Sequence, residues 1–131
     1  MLPLQHRLTR SADFGRVHGE GCCYSNRMLV LCKCRNGLEN SRFGFSVSKR
    51  VGNAVVRNRV KRLLREVVRL HCDLISSGWD IVFIARSAIV GADYGAVESA
   101  VTSLLSSAEL FRSAENENEE ETDESHLCRG I

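Results

Sequence analysis

No apolar run in this 131-residue sequence approaches the roughly 18 residues that would span a bilayer. The N-terminus, MLPLQHRLTR, lacks the apolar stretch of a signal peptide. Both absences make a cytoplasmic, non-membrane protein the expectation. At 131 residues the chain is long enough for one domain around a single core. A catalytic constellation is also lacking. The four histidines are scattered along the chain. His71 falls at the end of a basic stretch, where a helix dipole favours a cation. Cys72 beside it does not make a Cys–His pair, because adjacent residues on a helix diverge. Asp80 and Asp93 read as turn and cap residues, and no Walker-type glycine loop occurs. A metabolic enzyme therefore has no site to work with.

Six cysteines, at positions 22, 23, 32, 34, 72 and 128, are many for a cytosolic chain. A structural zinc site usually carries a spaced Cys pair at each end, so that two thiolates can turn toward one ion. Cys22 and Cys23 are adjacent, and Cys32 and Cys34 are spaced like two residues on one strand face. A disulfide framework is not expected without a secretory signal. The expectation is small apolar residues in strands. Whether Cys22, Cys23, Cys32 and Cys34 bind metal is left open.

The scarcest feature is negative charge in the middle of the chain. Residues 42–69 hold nine Lys or Arg and one acid, Glu66, a net of +8. Residues 115–124, ENENEEETDE, hold seven acids and no base, which is why the whole chain is only +2. A solvated helix face normally mixes signs. A one-signed patch points to a polyanion, most simply nucleic acid.

Periodicity places that charge. A short helix is expected near Asp13, capped from Thr9 or Ser11, with Leu8, Phe14 and Val17 on its apolar side and Gly19 and Gly21 stopping it. Residues 27–33 read as a strand, Asn36-Gly37 as a turn and residues 41–48 as a second strand. In that second strand Phe43, Phe45 and Val47 alternate with Gly44, Ser46 and Ser48. One face suits a core, and the small polar face is left for a ligand. Gly52-Asn53 opens a helix over Ala54–His71. Its Val56, Val60, Leu63, Leu64 and Val67 share one arc, and Asn58, Lys61, Arg62, Arg65 and Arg69 lie opposite, flanked by Arg57 and Arg59. Residues 81–85, IVFIA, read as a central strand, and Asp93 caps a last helix over 94–110. Residues 1–112 are thus expected to form the domain, and residues 113–131 a disordered acidic tail. The order helix, strand, strand, helix, strand, helix gives an α+β sandwich.

Several arginines within one and a half turns repel one another, at about 0.2–0.5 kcal/mol per pair at helical spacing. Phosphates would neutralise that repulsion, and Arg gives forked contacts to phosphate that Lys does not. Ser48-Lys49-Arg50-Val51-Gly52-Asn53 could add backbone N–H groups at the helix start. A DNA-reading helix is disfavoured, because a strand rather than a partner helix precedes Ala54.

Residues 42–69, RFGFSVSKRVGNAVVRNRVKRLLREVVR, resemble the signature of the protein subunit of bacterial ribonuclease P, including its "RNR" at Arg57-Asn58-Arg59. The likeness extends over about residues 8–107, through LTRSADF, the Asn26-Arg27 pair and IVFIAR. The resemblance implies an α+β two-layer sandwich, with about four strands in a mixed sheet, three helices and a left-handed β-α-β crossover. Its implied function is that of a protein cofactor in the holoenzyme that removes the 5′ leader from precursor tRNA. In that family a catalytic RNA subunit carries the chemistry, and magnesium is held mainly by RNA and substrate. No protein residue is catalytic, no metal ligand is implied, and one protein per RNA is expected. By position, Lys49, Arg50, Arg57, Asn58, Arg59, Lys61, Arg62, Arg65 and Arg69 would face RNA. Phe14, His18, Ser46, Ser48 and Arg86 would belong to the cleft for the leader, although Phe14 suits an ordinary core equally well. His18 stands where the family usually has a second cleft aromatic, and Cys32 where relatives often carry Tyr or Phe. Both departures imply a cleft with less stacking surface. The competing reading is a ribosomal or other structural RNA-binding protein without a processing role.

The acidic tail is not part of the family pattern and reads as a solvated, RNA-repelling appendage. Deleting residues 113–131 is expected to leave reconstituted ribonuclease P activity intact at moderate salt; loss of cleavage in that assay would show the tail to be required.

Overall fold

The computed structural model describes residues 6–8 and 11–111. Thr9 and the acidic tail lie outside them. The elements run α1 (Ser11–Glu20), β1 (Cys22–Ser25), β2 (Leu29–Arg35), β3 (Arg42–Ser46), α2 (Ala54–His71), β4 (Trp79–Ala85) and α3 (Tyr94–Ser107), with short 3-10 turns at Cys72–Leu74 and Ser87–Ile89. The four strands form one mixed sheet in the order β1-β2-β4-β3. β2 is antiparallel to β1 and β4, whereas β3 runs parallel to β4. The fold is α+β with three helices, as the resemblance implied.

Side-chain parity divides the sheet between two clusters. Leu29, Leu31, Phe43, Ile81 and Phe83 are buried with Val60, Leu64 and Val67 of α2 and Val97, Val101, Leu104 and Leu105 of α3. The opposite face contributes Cys32 and Val82, which pack with Leu8 and Val17, flanked by Phe14, Val30 and Ile84. α2 and α3 thus cover most of one face, and the short α1 lies on part of the other.

α2 begins where the sequence places it. Asn53 is its N-cap, and its Oδ1 accepts the Val56 N–H at 3.0 Å. α3 is capped in the same way by Asp93, which accepts from Ala96 at 2.9 Å. α3 ends three residues earlier than expected. There Glu109 takes a positive φ of 58°, the Leu110 N–H returns to the Leu105 carbonyl, and Lys33 Nζ donates to the Ala108 carbonyl at 2.7 Å. α1 runs through Gly19 and stops only at Gly21, and Ser11 is its first residue rather than its cap. A Cβ at Gly21 would meet the Lys33 carbonyl and come within 2.5 Å of the Val17 carbonyl, so the step from α1 to β1 leaves room only for glycine.

Further sequence expectations are corrected. β2 starts at Leu29 rather than 27, because Asn26 Oδ1 accepts the N–H groups of Met28 (3.0 Å) and Leu29 (2.9 Å) and holds residues 26–28 in a turn. β4 starts at Trp79, so Asp80 is a fully buried strand residue and not a turn residue. Disulfides were not expected, yet Cys23 and Cys32 are bonded. β1, too short at four residues to show a periodicity, pairs with β2 in a register that sets these two side by side.

Leu64 is fully buried between α2 and the sheet. Leu64→Ala is expected to lower the unfolding free energy by about 2–5 kcal/mol, measured by urea denaturation, with an unchanged dependence on denaturant.

Candidate nucleic-acid interface

The outer side of α2 is a row of cations. Asn58, Arg59, Arg62, Arg65 and Arg69 are exposed, Arg57 and Lys61 half-buried, and Lys49 and Arg50 exposed in the turn before the helix. That turn is closed by the Val51 N–H to the Ser48 carbonyl at 3.0 Å. Arg57 is steadied by donating Nε to the Gly52 carbonyl at 3.1 Å. Arg69 differs from the others. It pairs with Glu66, Nη2 to Oε2 at 2.5 Å, so the one acid on the helix already partners it. The hydrogen bonds from Arg69 hold the Glu66 carboxyl below the usual carboxylate range. Arg42, counted with the basic segment by sequence, is turned away from α2 and engages Asp80.

A second feature lies on the opposite face of the sheet. A cavity of about 270 Å³ opens between α1 and the strands, lined by Phe14, Gly15, His18, Cys32, Ser46, Val82 and Ile84. The Phe14 ring reaches across to Gly44, where an added Cβ would lie 2.5 Å from its Cζ. The small face of β3 thus exists partly to admit this ring. Of the residues expected in the cleft, Phe14, His18 and Ser46 line it. Ser48 lies beyond the end of β3, with its Oγ accepting the Arg50 N–H at 3.3 Å. Arg86 sits past β4 and donates Nη1 to the Asn26 carbonyl at 3.0 Å. Val82 and Ile84 had been assigned only to a central strand; that strand's second face is the cleft floor.

The cleft and the cationic row occupy opposite faces, joined through the end of β3 and the turn that follows. The arrangement can hold a stacked or apolar group on one side and a chain of phosphates on the other. No helix among the described residues is long and apolar enough to cross a membrane.

Comparison with known proteins decides the family. The family model described as Ribonuclease P matches residues 2–109. The chain belongs to the ribonuclease P protein family. It is 44% identical over 108 residues to the ribonuclease P protein component of Clostridium botulinum strain Langeland, covering 82% of this chain and 97% of that protein. It is 46% identical over 107 residues to that of Clostridium novyi, covering 80% and 95%. Among solved structures, the RNase P protein of Staphylococcus aureus superposes with a TM-score of 0.76 at 34% identity, covering 82% of this chain and 98% of that one. The RNase P protein of Thermotoga maritima gives 0.71 at 33%, covering 76% and 94%.

Within this ribonuclease P fold, sequence reading missed the polar cluster beside the cleft. The Asp80 carboxylate accepts Arg42 Nε at 2.9 Å and Nη2 at 2.7 Å, Asn36 Nδ2 at 3.0 Å, and Arg16 Nη2. Arg42 Nη1 lies 3.7 Å from Asp13 Oδ2. Burial alone would raise the Asp80 pKa. The hydrogen bonds from Arg42 and Asn36 and the charges of Arg42 and Arg16 outweigh it and hold the carboxyl below its usual value. An acid flanked by arginines distant in sequence gives no local signal.

A carboxyl with a depressed folded pKa stabilises the protein above the ordinary value, about 3.9, and loses that contribution as pH falls toward the lower folded one. Asp80→Asn is expected to destabilise the protein at neutral pH. The difference in unfolding free energy from wild type should narrow as pH is lowered below about 4; a difference that stays constant down to acid pH would contradict this.

Proposed function

We propose that the chain is the protein subunit of ribonuclease P, binding the catalytic RNA through α2 and the 5′ leader of precursor tRNA in the cleft under α1. The observation that carries the reading is the segregation of charge on α2. The apolar arc is buried in the core, while Arg59, Arg62 and Arg65 stand exposed without an acid opposite them. Docking on RNA phosphates would neutralise their mutual repulsion. Arg57, Asn58, Lys61, Lys49 and Arg50 extend the same surface around the helix start. Arg69 would join only by exchanging Glu66 for a phosphate.

The cleft suits a single strand. Phe14 offers one ring face, and base–aromatic stacking is worth about 1–3 kcal/mol per base. His18 and Ser46 supply polar edges beside it. Ser48 and Arg86, outside the lining, would meet the leader only where it leaves the cleft. The protein in this reading contributes binding and orientation, and the RNA subunit carries the cleavage. Among the described residues no group of three His, Cys, Asp or Glu side chains is placed to hold a metal ion. Magnesium, in this reading, is held mainly by RNA and substrate. One protein per RNA, acting in the cytoplasm, completes the proposal.

The test is cleavage of precursor tRNA by the cognate RNA at low magnesium, with wild-type protein and with Arg57→Ala/Arg59→Ala. Wild type should restore leader removal. The variant should need about tenfold more protein, with a log affinity that falls less steeply with log salt by about two. A protein that binds RNA without changing cleavage would instead be a structural RNA-binding protein.

A further inference from the structure

α1 forms the outer wall of the cleft and has little to hold it there. It is ten residues long and carries two glycines, Gly15 and Gly19, within it. A helix that short is marginal on its own, and interior glycine weakens it further. Its apolar anchorage is the small cluster around Val17. The edge of α1 away from the cleft carries Asp13 and Arg16, one turn apart, and both reach a single pair on the sheet. Arg16 engages Oδ2 of the Asp80 carboxylate, while Asp13 faces the Arg42 guanidinium that grips both oxygens of the same carboxylate. Arg16 Nη1 also donates to Cys34 Sγ at 3.1 Å and to the Arg35 carbonyl at 3.3 Å. Asp80 is fully buried, and the side chains of Arg16, Arg42 and Asp13 are 30%, 25% and 21% exposed. The four charges sum to zero, so the cluster offers no net attraction to phosphate. None of the four lines the cleft.

We propose that Asp13, Arg16, Arg42 and Asp80 form a clamp that positions α1, and that Arg16 thereby sets the affinity for the leader without touching it. The inference rests on the reading of the cleft as the leader site. Phe14 and His18 ride on the clamped helix, whereas Cys32, Ser46, Val82 and Ile84 are fixed on the sheet. The gap between the two sets depends on where α1 sits. A forked arginine in the middle of the helix, held by a buried carboxylate, fixes that position with directional bonds, which the small apolar cluster lacks. Arg16 is a positioning residue, acting through Asp80 on the ring of Phe14.

The experiment uses the full chain reconstituted with its RNA subunit, carrying Arg16→Met, Arg16→Lys or Asp13→Asn. Affinity is measured for precursor tRNA with a short single-stranded leader and for mature tRNA without one. Amide exchange across residues 12–20 is followed in the free proteins. Arg16→Met should lower the ratio of precursor to mature affinity about tenfold. Affinity for the RNA subunit should stay within about twofold, and exchange should quicken in α1 but not in α2 or β4. Arg16→Lys should recover part of the ratio. Asp13→Asn, which leaves Asp80 and both its arginines in place, should move it in the same direction by less, and it decides the matter if Arg16→Met does not fold. An unchanged ratio overturns the proposal, even with faster exchange in α1. An equal loss for mature tRNA also overturns it, by making the effect global. If wild type shows no preference for the leader, the cleft reading fails; faster exchange in α1 would then leave an anchor for the helix, and the positioning role would fall.

Discussion

Two parallel strands lying side by side cannot be joined by a tight turn, because the chain must return to the starting edge before the second strand begins. β3 and β4 are such a pair, and α2 is the return. That connection commits one face of the sheet to α2 and to the α3 that packs against it. Only a ten-residue helix is left for the other face. It is too short to cover four strands, and the uncovered strip is the cleft. The cationic row and the cleft are in this sense two results of one pairing. The return helix must show a side to solvent, and the face it does not cover must remain partly open.

Electrostatics sort the same way. The chain places many arginines in its middle, and the fold treats them unequally. Arg42 and Arg16 are used internally around Asp80, Arg69 is matched by Glu66, and Arg59, Arg62 and Arg65 stay exposed to solvent. The first group stabilises the molecule by compensating a buried charge. The last destabilises it slightly through repulsion that a polyanion relieves. Sequence counting alone cannot separate these groups, since all of them contribute equally to net charge.

Legibility followed the range of the interactions involved. α2 could be read to the residue because its signals are local: an Asn cap, a 3.6-residue apolar period and a basic opposite face. The alternation Phe43, Gly44, Phe45, Ser46 announced a strand with one face for the core, and Phe14 and His18 were placed at the cleft through family resemblance. What escaped depended on partners far along the chain. β1 is four residues long and exists because β2 offers it an edge, so the Cys23–Cys32 bond was invisible until the register was known. Asp80 looked like a turn residue beside Gly78, and its partners stand at positions 16, 36 and 42. Ser48 falls outside the cleft lining because β3 ends at Ser46, two residues before its expected end.

β3 does two jobs at once. Phe43 and Phe45 face α2 and α3, while Gly44 lies under the Phe14 ring and Ser46 edges the cleft. A strand has a period of two, so adding or removing one residue within it would turn every side chain beyond that point to the other face. Large rings would then fill the cleft, and glycine and serine would leave holes in the core. Substitutions in this strand can be absorbed one face at a time, but its length cannot drift. Over evolutionary time such a segment should vary in letters and not in count, because a single codon gained or lost would damage the fold and its ligand site together.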